Sequence, residues 1–292
     1  MANNGEIVLH RMNLQGEREA NEDADSFVMN MTRSGRAKDS RYAPIDLFIV
    51  CDGHGGSLVS KYCIDRLQHD LLNPRLSYPL DATQIKTIYD KIQNDLINHP
   101  NNIAKNCGST ALVVARYSNG FSKSYLQVLN AGDCRAVLSR KGLAIPLTKD
   151  HKPSWPDERR RFAKINAKNR ISTPVVHDEN DWRINGFSVS RSFGDLDGQP
   201  HLTHLPDTYS YEILPEDEFI IIACDGFWDV VNNQQAVNFL KDSITGSFEF
   251  YGFPPRSKVK KFMLKNLAHR LCDYAISLGT QDNVTVMVLM FK

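Results

Sequence analysis

No two cysteines in the chain are spaced as C-x-x-C: the six (Cys51, Cys63, Cys107, Cys134, Cys224, Cys272) are scattered through 292 residues. That excludes a zinc ribbon and argues against a disulfide framework, so they read as reduced thiols of an intracellular protein. Long apolar runs are missing too. None approaches the ~18 residues needed to span a bilayer. Met1 to His10 holds only three apolar residues in succession, which suits neither a signal peptide nor an anchor. Nor is one charge in excess: 35 basic and 34 acidic side chains leave +1 with histidines neutral. A nonspecific nucleic-acid binder is more basic than this. Neither a membrane nor a nucleic-acid partner is expected, and the expected location is cytoplasmic or nuclear, not secreted. No long Pro-, Gly- or Ser-rich linker divides the chain and no repeat recurs in it, so a single domain over residues 1–292 is expected. No exposed heptad or long apolar patch demands a dimer, and a monomer is expected.

What is present is a folded chain's composition, 41% hydrophobic and 24% charged. Short apolar runs bounded by Gly, Asn or Asp predict strands over Asp25 to Thr32, Asp46 to Cys51, Ser109 to Arg116, Ser124 to Ala131, Glu218 to Cys224 and Val284 to Phe291. Three- and four-residue spacing predicts helices through Val59, Cys63, Leu67 and Leu71, and through Ile85, Tyr89, Ile92 and Leu96. Asp81, three residues before Gln84, has the form of a capping box for the second. A third helix is predicted from about Ser257, using Val259, Phe262, Met263, Leu267, Leu271, Tyr274 and Leu278, and stopping at Gly279. Strands in groups with helices after some of them favour an α+β layered architecture over a regularly alternating sheet. Asn30 to Pro44 reads as a long hairpin loop. Trp155 to Gly186 reads as irregular, with Arg159, Arg160, Arg161 and Lys164 as a solvated helix face.

Three apolar runs end in an acid beside a glycine: Asp52-Gly53, Gly132-Asp133 and Asp225-Gly226. Each alone is a common turn pair. Together they place carboxylates at the ends of rigid strands, with glycines that let backbone approach a ligand. Asp52-Gly53-His54-Gly55-Gly56 sharpens this, because its glycines expose backbone around an acid and a histidine. It is not a phosphate-binding Walker loop, lacking Gly-Lys-Ser or Gly-Lys-Thr, and no G-x-S-x-G nucleophile elbow accompanies it. By itself His54 would read as a surface residue. Arg18 is followed by Glu22 and Asp23, and Asp282-Asn283 precedes the last strand. All these acids offer oxygen, and there is no H-E-x-x-H or Cys/His cluster. A metal held here would be a hard ion such as Mg²⁺ or Mn²⁺ rather than zinc.

From about Val8 to Phe291 the sequence closely resembles the metal-dependent protein phosphatases of type 2C. The motifs occur in the family's order: Arg18 to Asp23 (R-x-x-x-E-D), Asp52 to Gly56 (D-G-H-G-G), Gly108 to Ala111 (G-S-T-A) and Asn130 to Arg135 (N-x-G-D-x-R). Then come Asp150 to Pro153 (D-H-K-P), Asn185 to Asp195 (ending S-V-S-R-S-F-G-D), Cys224 to Asp229 (C-D-G-x-W-D) and Asp282-Asn283 (D-N).

The resemblance implies a four-layer α-β-β-α sandwich of two antiparallel sheets flanked by helices. It implies hydrolysis of phosphoserine and phosphothreonine in phosphoprotein substrates by a water or hydroxide bridging two Mg²⁺ or Mn²⁺ ions. By that resemblance Asp52 bridges the ions, Asp225 and Asp282 complete one site, and Glu22 with the Gly53 carbonyl serves the other. Asp23 would orient a water held by the ions. Asp133, with Asp225 and Asp229, would hold a weaker third ion. Arg18 would grip the phosphate, for which its planar pair of donors is matched. An alternative salt bridge from Arg18 to Glu22 is disfavoured because no helical apolar pattern surrounds it. His54 would protonate the departing serine or threonine oxygen as general acid, since an alkoxide leaves poorly.

The chain departs from the family at Cys134, a position usually given to Ser, and in the flap region at about 153–186, where the stretch Glu158 to Val176 lacks the usual Gly-Gly pair. No added regulatory domain is expected beyond Lys292. A catalytically inactive scaffold of the same fold is the first rival, countered by the presence of Glu22, Asp52, Asp225 and Asp282. A calcineurin-like metallophosphoesterase is the second, countered by the lack in this chain of the G-N-H-D or G-N-H-E segment that family requires.

Overall fold

Strands lie on all six apolar runs, the first as far as Met31, in the computed structural model, which describes residues 7–31, 45–105, 107–118, 123–178, 181–245 and 266–292. In chain order the strands are β1 (Ile7–Leu14), β2 (Ala24–Met31), β3 (Ile45–Cys51), β4 (Gly53–His54), β5 (Gly108–Ser109), β6 (Ala111–Ser118), β7 (Ser124–Ala131) and β8 (Arg135–Arg140). They continue with β9 (Leu143–Pro146), β10 (Val176–His177), β11 (Trp182–Arg183), β12 (Phe193–Gly194), β13 (Asp207–Glu212), β14 (Asp217–Ala223) and β15 (Val284–Phe291). The helices are α1 (Leu58–Leu71), α2 (Ala82–Ile97), α3 (Pro156–Asn169), α4 (Asp225–Trp228), α5 (Asn233–Thr245) and α6 (Leu267–Ser277). Among the described residues no helix is long and apolar enough to cross a membrane.

The chain divides into two compact units. A central unit comprises Glu22–Cys134 and Lys149–Glu212; a terminal unit comprises Met1–Asn21, Arg135–Thr148 and Ile213–Lys292. The central unit is built on a five-stranded antiparallel sheet in the order β13-β7-β6-β3-β2. Alternate residues of β3 (Leu47, Ile49, Cys51) and β6 (Ala111, Val113, Ala115) share one buried cluster with α1 and α2, as the period-2 geometry of strands requires. The capping box of α2 is present: Gln84 N donates to Asp81 Oδ1 (2.8 Å) and Asp81 N donates to Gln84 Oε1 (3.0 Å).

The terminal unit repeats the plan with the order β1-β15-β14-β8-β9, again antiparallel. Ile221, Val286 and Val288 of its sheet pack with Phe227, Val237, Leu240 and Leu271 from α4, α5 and α6. Of the helix read from Ser257, the stretch carrying Val259, Phe262 and Met263 lies outside the described residues, as do residues 32–44 of the hairpin loop. The described part is α6, whose N-cap Asn266 accepts from His269 N (3.2 Å) and which stops before Gly279, at φ +91°.

The flap region corrects the sequence reading. Its described residues include α3 and the β10–β11 ladder, so the stretch is not irregular throughout. Pro156 opens α3, Asp157 and Glu158 lie in its first turn and Lys168 in its last, the charge order the helix dipole favours. Arg159, Arg160 and Lys164 are exposed, but Arg161 is not part of a solvated face. Its guanidinium binds Glu158 and the carbonyls of Ser190 and His201.

Candidate active site

In the central unit the site begins where β3 stops. Asp52 N donates to Thr110 Oγ1 (3.1 Å), and Thr110 N donates to Asp52 O (2.8 Å). Thr110 thereby leaves the ladder, dividing β5 from β6, and fixes the backbone of Asp52. Carboxylate oxygens of Asp23 and Asp133 each lie within 4.8 Å of one from Asp52. Gly53 must be glycine, because a Cβ there would overlap the carbonyl oxygen of Glu22. Ser60 Oγ donates to that same Glu22 carbonyl (2.5 Å), holding the Glu22 segment against the start of α1.

Asp133 follows Gly132, whose φ of +126° no other residue adopts easily and whose missing Cβ leaves room for Thr110. The Asp133 side chain is 1% exposed; Oδ2 accepts from Lys152, and Oδ1 accepts no hydrogen bond from any described residue. Such a buried oxygen costs about 1–3 kcal/mol unless a cation or donor meets it. Cys134, the departure from the family pattern, lies 3.2 Å from Thr110 Oγ1. Burial, reinforced by the charges of Asp52 and Asp133, pushes its thiol well above the usual range, so it stays protonated.

His54 Nε2 lies 2.8 Å from both carboxylate oxygens of Asp195, and the Phe187 ring stands edge-on to the imidazole at 6.4 Å. Burial pulls the imidazole pKa down, but the hydrogen bond to Asp195 and the charges of Asp195, Asp133 and Glu22 outweigh it and raise it above the ordinary value.

The terminal unit carries the remaining residues. Arg18 Nη2 donates to Asp282 Oδ2 (2.7 Å), with side chains 58% and 36% exposed, while Asn283 N donates to Asp282 Oδ1 (2.7 Å). Arg18 therefore pairs with Asp282, not with Glu22. Asn283 Nδ2 donates to the carbonyls of Gln15 and Ala20, clamping the loop that holds Arg18. Asp225 opens α4 and Asp229 follows it; a Cβ at Gly226 would overlap the Asn283 carbonyl, so these two segments lie in contact. Glu17, Arg18, Asp229, Thr280 and Asp282 line one polar hollow. Trp228 has a packing role: its indole N–H donates to Arg135 O (3.1 Å) and Ala223 O (3.2 Å).

Within the central unit, then, Glu22, Asp23, Asp52, Gly53, His54 and Asp133 gather, and within the terminal unit Arg18, Asp225, Asp229 and Asp282. Sequence reading missed Lys152 and Asp195 as individuals, although both stand in quoted motifs (D-H-K-P and S-F-G-D). The carboxylates named above offer only oxygen, and one of those oxygens is buried with no hydrogen bond among the described residues, so they suit a hard divalent cation.

A family model described as Protein phosphatase 2C matches residues 8–284. The chain belongs to that family. Among curated relatives, a PP2C-like domain-containing protein of Acanthamoeba polyphaga mimivirus is 48% identical over 176 residues, 60% of this chain and 98% of that protein. Protein phosphatase 2C homolog 3 of Schizosaccharomyces pombe is 32% identical over an alignment of 301 residues, covering 97% of this chain and 64% of that protein. The chain thus spans less than two thirds of the yeast phosphatase 2C. Among solved structures, a phosphatase from a pathogenic strain of Toxoplasma gondii superposes with a TM-score of 0.75 at 21% identity, covering 99% of this chain and 94% of that chain. At that identity the likeness is one of fold, and it is the phosphatase 2C fold.

Proposed function

We propose that this phosphatase 2C family member hydrolyses phosphoserine and phosphothreonine in proteins, in a reaction dependent on Mg²⁺ or Mn²⁺. The observation that carries the reading is the Asp52 neighbourhood: the carboxylates of Asp23 and Asp133 each lie close to that of Asp52, and a buried Asp133 oxygen meets no hydrogen among the described residues. The proposed ligands are Glu22, Asp52, the Gly53 carbonyl, Asp225 and Asp282 for two ions, with Asp133 and Asp229 toward a weaker third. Bound ions would supply an activated water and offset the charge of the phosphate.

The chain's own groups do the rest. Arg18 uses one nitrogen on Asp282 and keeps its other donors for phosphate oxygens. Asp23, 6% exposed beside Asp52, is suited to hold a water in one orientation. His54 gives a proton to the departing serine or threonine oxygen, and its raised pKa keeps that proton available near neutral pH. The proposal takes residues 1–292 as one catalytic domain, acting as a monomer in the cytoplasm or nucleus.

The test is a panel of phosphopeptides assayed with Mg²⁺, Mn²⁺ and chelator. Turnover with either ion that disappears in excess EDTA is the expected result. No turnover with metal present would favour an inactive scaffold, and full turnover by thoroughly demetallated protein would remove the metal from the reaction.

A further inference from the structure

Three two-residue strands meet beside the Asp52 loop in the order β12-β5-β4, and their register sets His54 opposite Gly108 and Gly108 opposite Gly194. Asp195 comes next after Gly194. The middle position is glycine for a spatial reason: a Cβ at Gly108 would occupy the place of the Asp195 carboxylate. Asp195 itself is held at φ +46°, a left-handed conformation that aspartate tolerates better than most residues. It is 2% exposed, whereas the His54 side chain is 38% exposed.

Asp195 precedes the short 3-10 turn Leu196–Gly198, where an aspartate usually caps, but its side chain makes no capping bond. Both oxygens are turned to His54 Nε2, and Oδ2 also accepts from Ser192 Oγ. The strand behind it is anchored from α2, where Gln93 bonds both the N–H and the carbonyl of Gly194 (2.9 and 3.0 Å) and Tyr89 stacks on Phe193. A buried carboxylate in a rigid setting that spends its oxygens on one imidazole has the form of an orienting group.

We infer that Asp195 is the positioning residue for His54: it holds the proton on Nε2, fixes the ring, and leaves Nδ1 as the atom that faces the leaving group. A carboxylate only accepts, so the nitrogen beside it must carry hydrogen. Among the described residues Nδ1 makes no hydrogen bond. In the reaction the bond from phosphorus to the seryl or threonyl oxygen breaks with its electron pair on that oxygen, which takes the Nδ1 proton. Water supplies the oxygen that stays on phosphorus, and solvent returns a proton to Nδ1. This step rests on the phosphatase reading above, whereas the tether of Nε2 does not.

Two measurements separate them. With Asp195→Asn, turnover of a phosphothreonine peptide should fall about 10²-fold, within the range general acid catalysis contributes, and turnover of p-nitrophenyl phosphate should fall several times less, because its phenolate leaves without a proton. Ser192→Ala, which loosens Asp195 without removing it, should show the same split at smaller size. Equal losses on the two esters would overturn the inference. If D195N does not fold, S192A and the parent decide. In the parent, nitrogen-15 NMR of neutral His54 should show hydrogen on Nε2 and a bare Nδ1. The opposite tautomer would overturn the tether whether or not the chain turns over any phosphate, and a parent inactive on both esters would sink the phosphatase reading alone.

Discussion

Two buried carboxylates in the central unit, Glu158 and Asp133, are treated in opposite ways. Glu158 is fully answered: Oε1 accepts from Arg191 Nη2 (2.8 Å) and Nε (3.2 Å), and Oε2 from Arg161 Nη2 (2.6 Å) and Nε (3.0 Å). Asp133 has Lys152 on one oxygen and, among the described residues, no hydrogen-bond partner on the other. Both are almost wholly out of solvent, 2% and 1% exposed. A saturated buried charge ties elements together, here α3 to the segment around Arg191. An unsaturated one costs free energy unless a cation meets it, which is what would distinguish a site from a joint.

The largest effect should come from breaking the joint. Glu158→Ala takes the shared carboxylate from two guanidinium groups, 24% and 13% exposed, leaving Arg161 its backbone carbonyls and Arg191 its pair with Asp207, and should lower stability by about 3 kcal/mol. Urea unfolding measures it; a loss under about 1 kcal/mol would mean the network holds nothing.

Acid should reach the same joint reversibly. Burial alone would lift the Glu158 pKa, but the hydrogen bonds and charges of Arg161 and Arg191 win and hold it at about 2. The folded value lies below the ordinary glutamate value of about 4.3. Its contribution is therefore complete above that value and disappears as pH falls toward 2, a change on the order of 3 kcal/mol. In Glu158→Gln the stability curve should be flatter by that amount between pH 4.3 and 2; an unchanged slope would refute the assignment.

Asp133→Asn should behave as a change to a site. Stability should stay within about 1 kcal/mol of the parent or rise, since a half-met charge is removed, while the metal concentration for half-maximal phosphatase activity rises severalfold. A fall in stability as large as that of Glu158→Ala would class Asp133 with the joints.

Arg18→Ala should perturb the fold least, by under ~1 kcal/mol, because its ion pair with Asp282 is largely solvated. Its cost should appear in kcat/KM for phosphopeptides, as a loss of roughly tenfold or more from the missing phosphate donor. Parent-like kcat/KM would show that another group grips the phosphate.

Most strands legible in the sequence are buried along much of their length, with β2 an apolar run that is nowhere fully buried and β8 a mostly buried strand that no predicted run marks. β3 is buried at every position and β7 along most of its length, and both are visible as apolar runs. β13, Asp-Thr-Tyr-Ser-Tyr-Glu, exposes alternate residues at the edge of its sheet and carries no apolar run. α5 begins Asn-Gln-Gln, hiding the stripe of Ala236, Val237 and Leu240 that it buries. The carboxylates of the site were legible because acids at the ends of apolar strands conflict with the local pattern, and a conflict in sequence marks a function.

The sequence by itself determined the elements that carry an apolar run or stripe, the capping box of α2, the oxygen-only donor set and the family, since each depends on residues near one another in the chain or on motifs in order. Only the tertiary structure decided who meets whom. Asp195 reaches His54 across 141 positions, through the register of three two-residue strands too short to leave a periodic signal. Arg161 joins Glu158 while its neighbours Arg159 and Arg160 stay in solvent, because one residue of a helix turns the side chain by about 100°. Which oxygen of a buried acid is met and which is left bare follows from packing geometry, to which the order of residue types along a chain is blind.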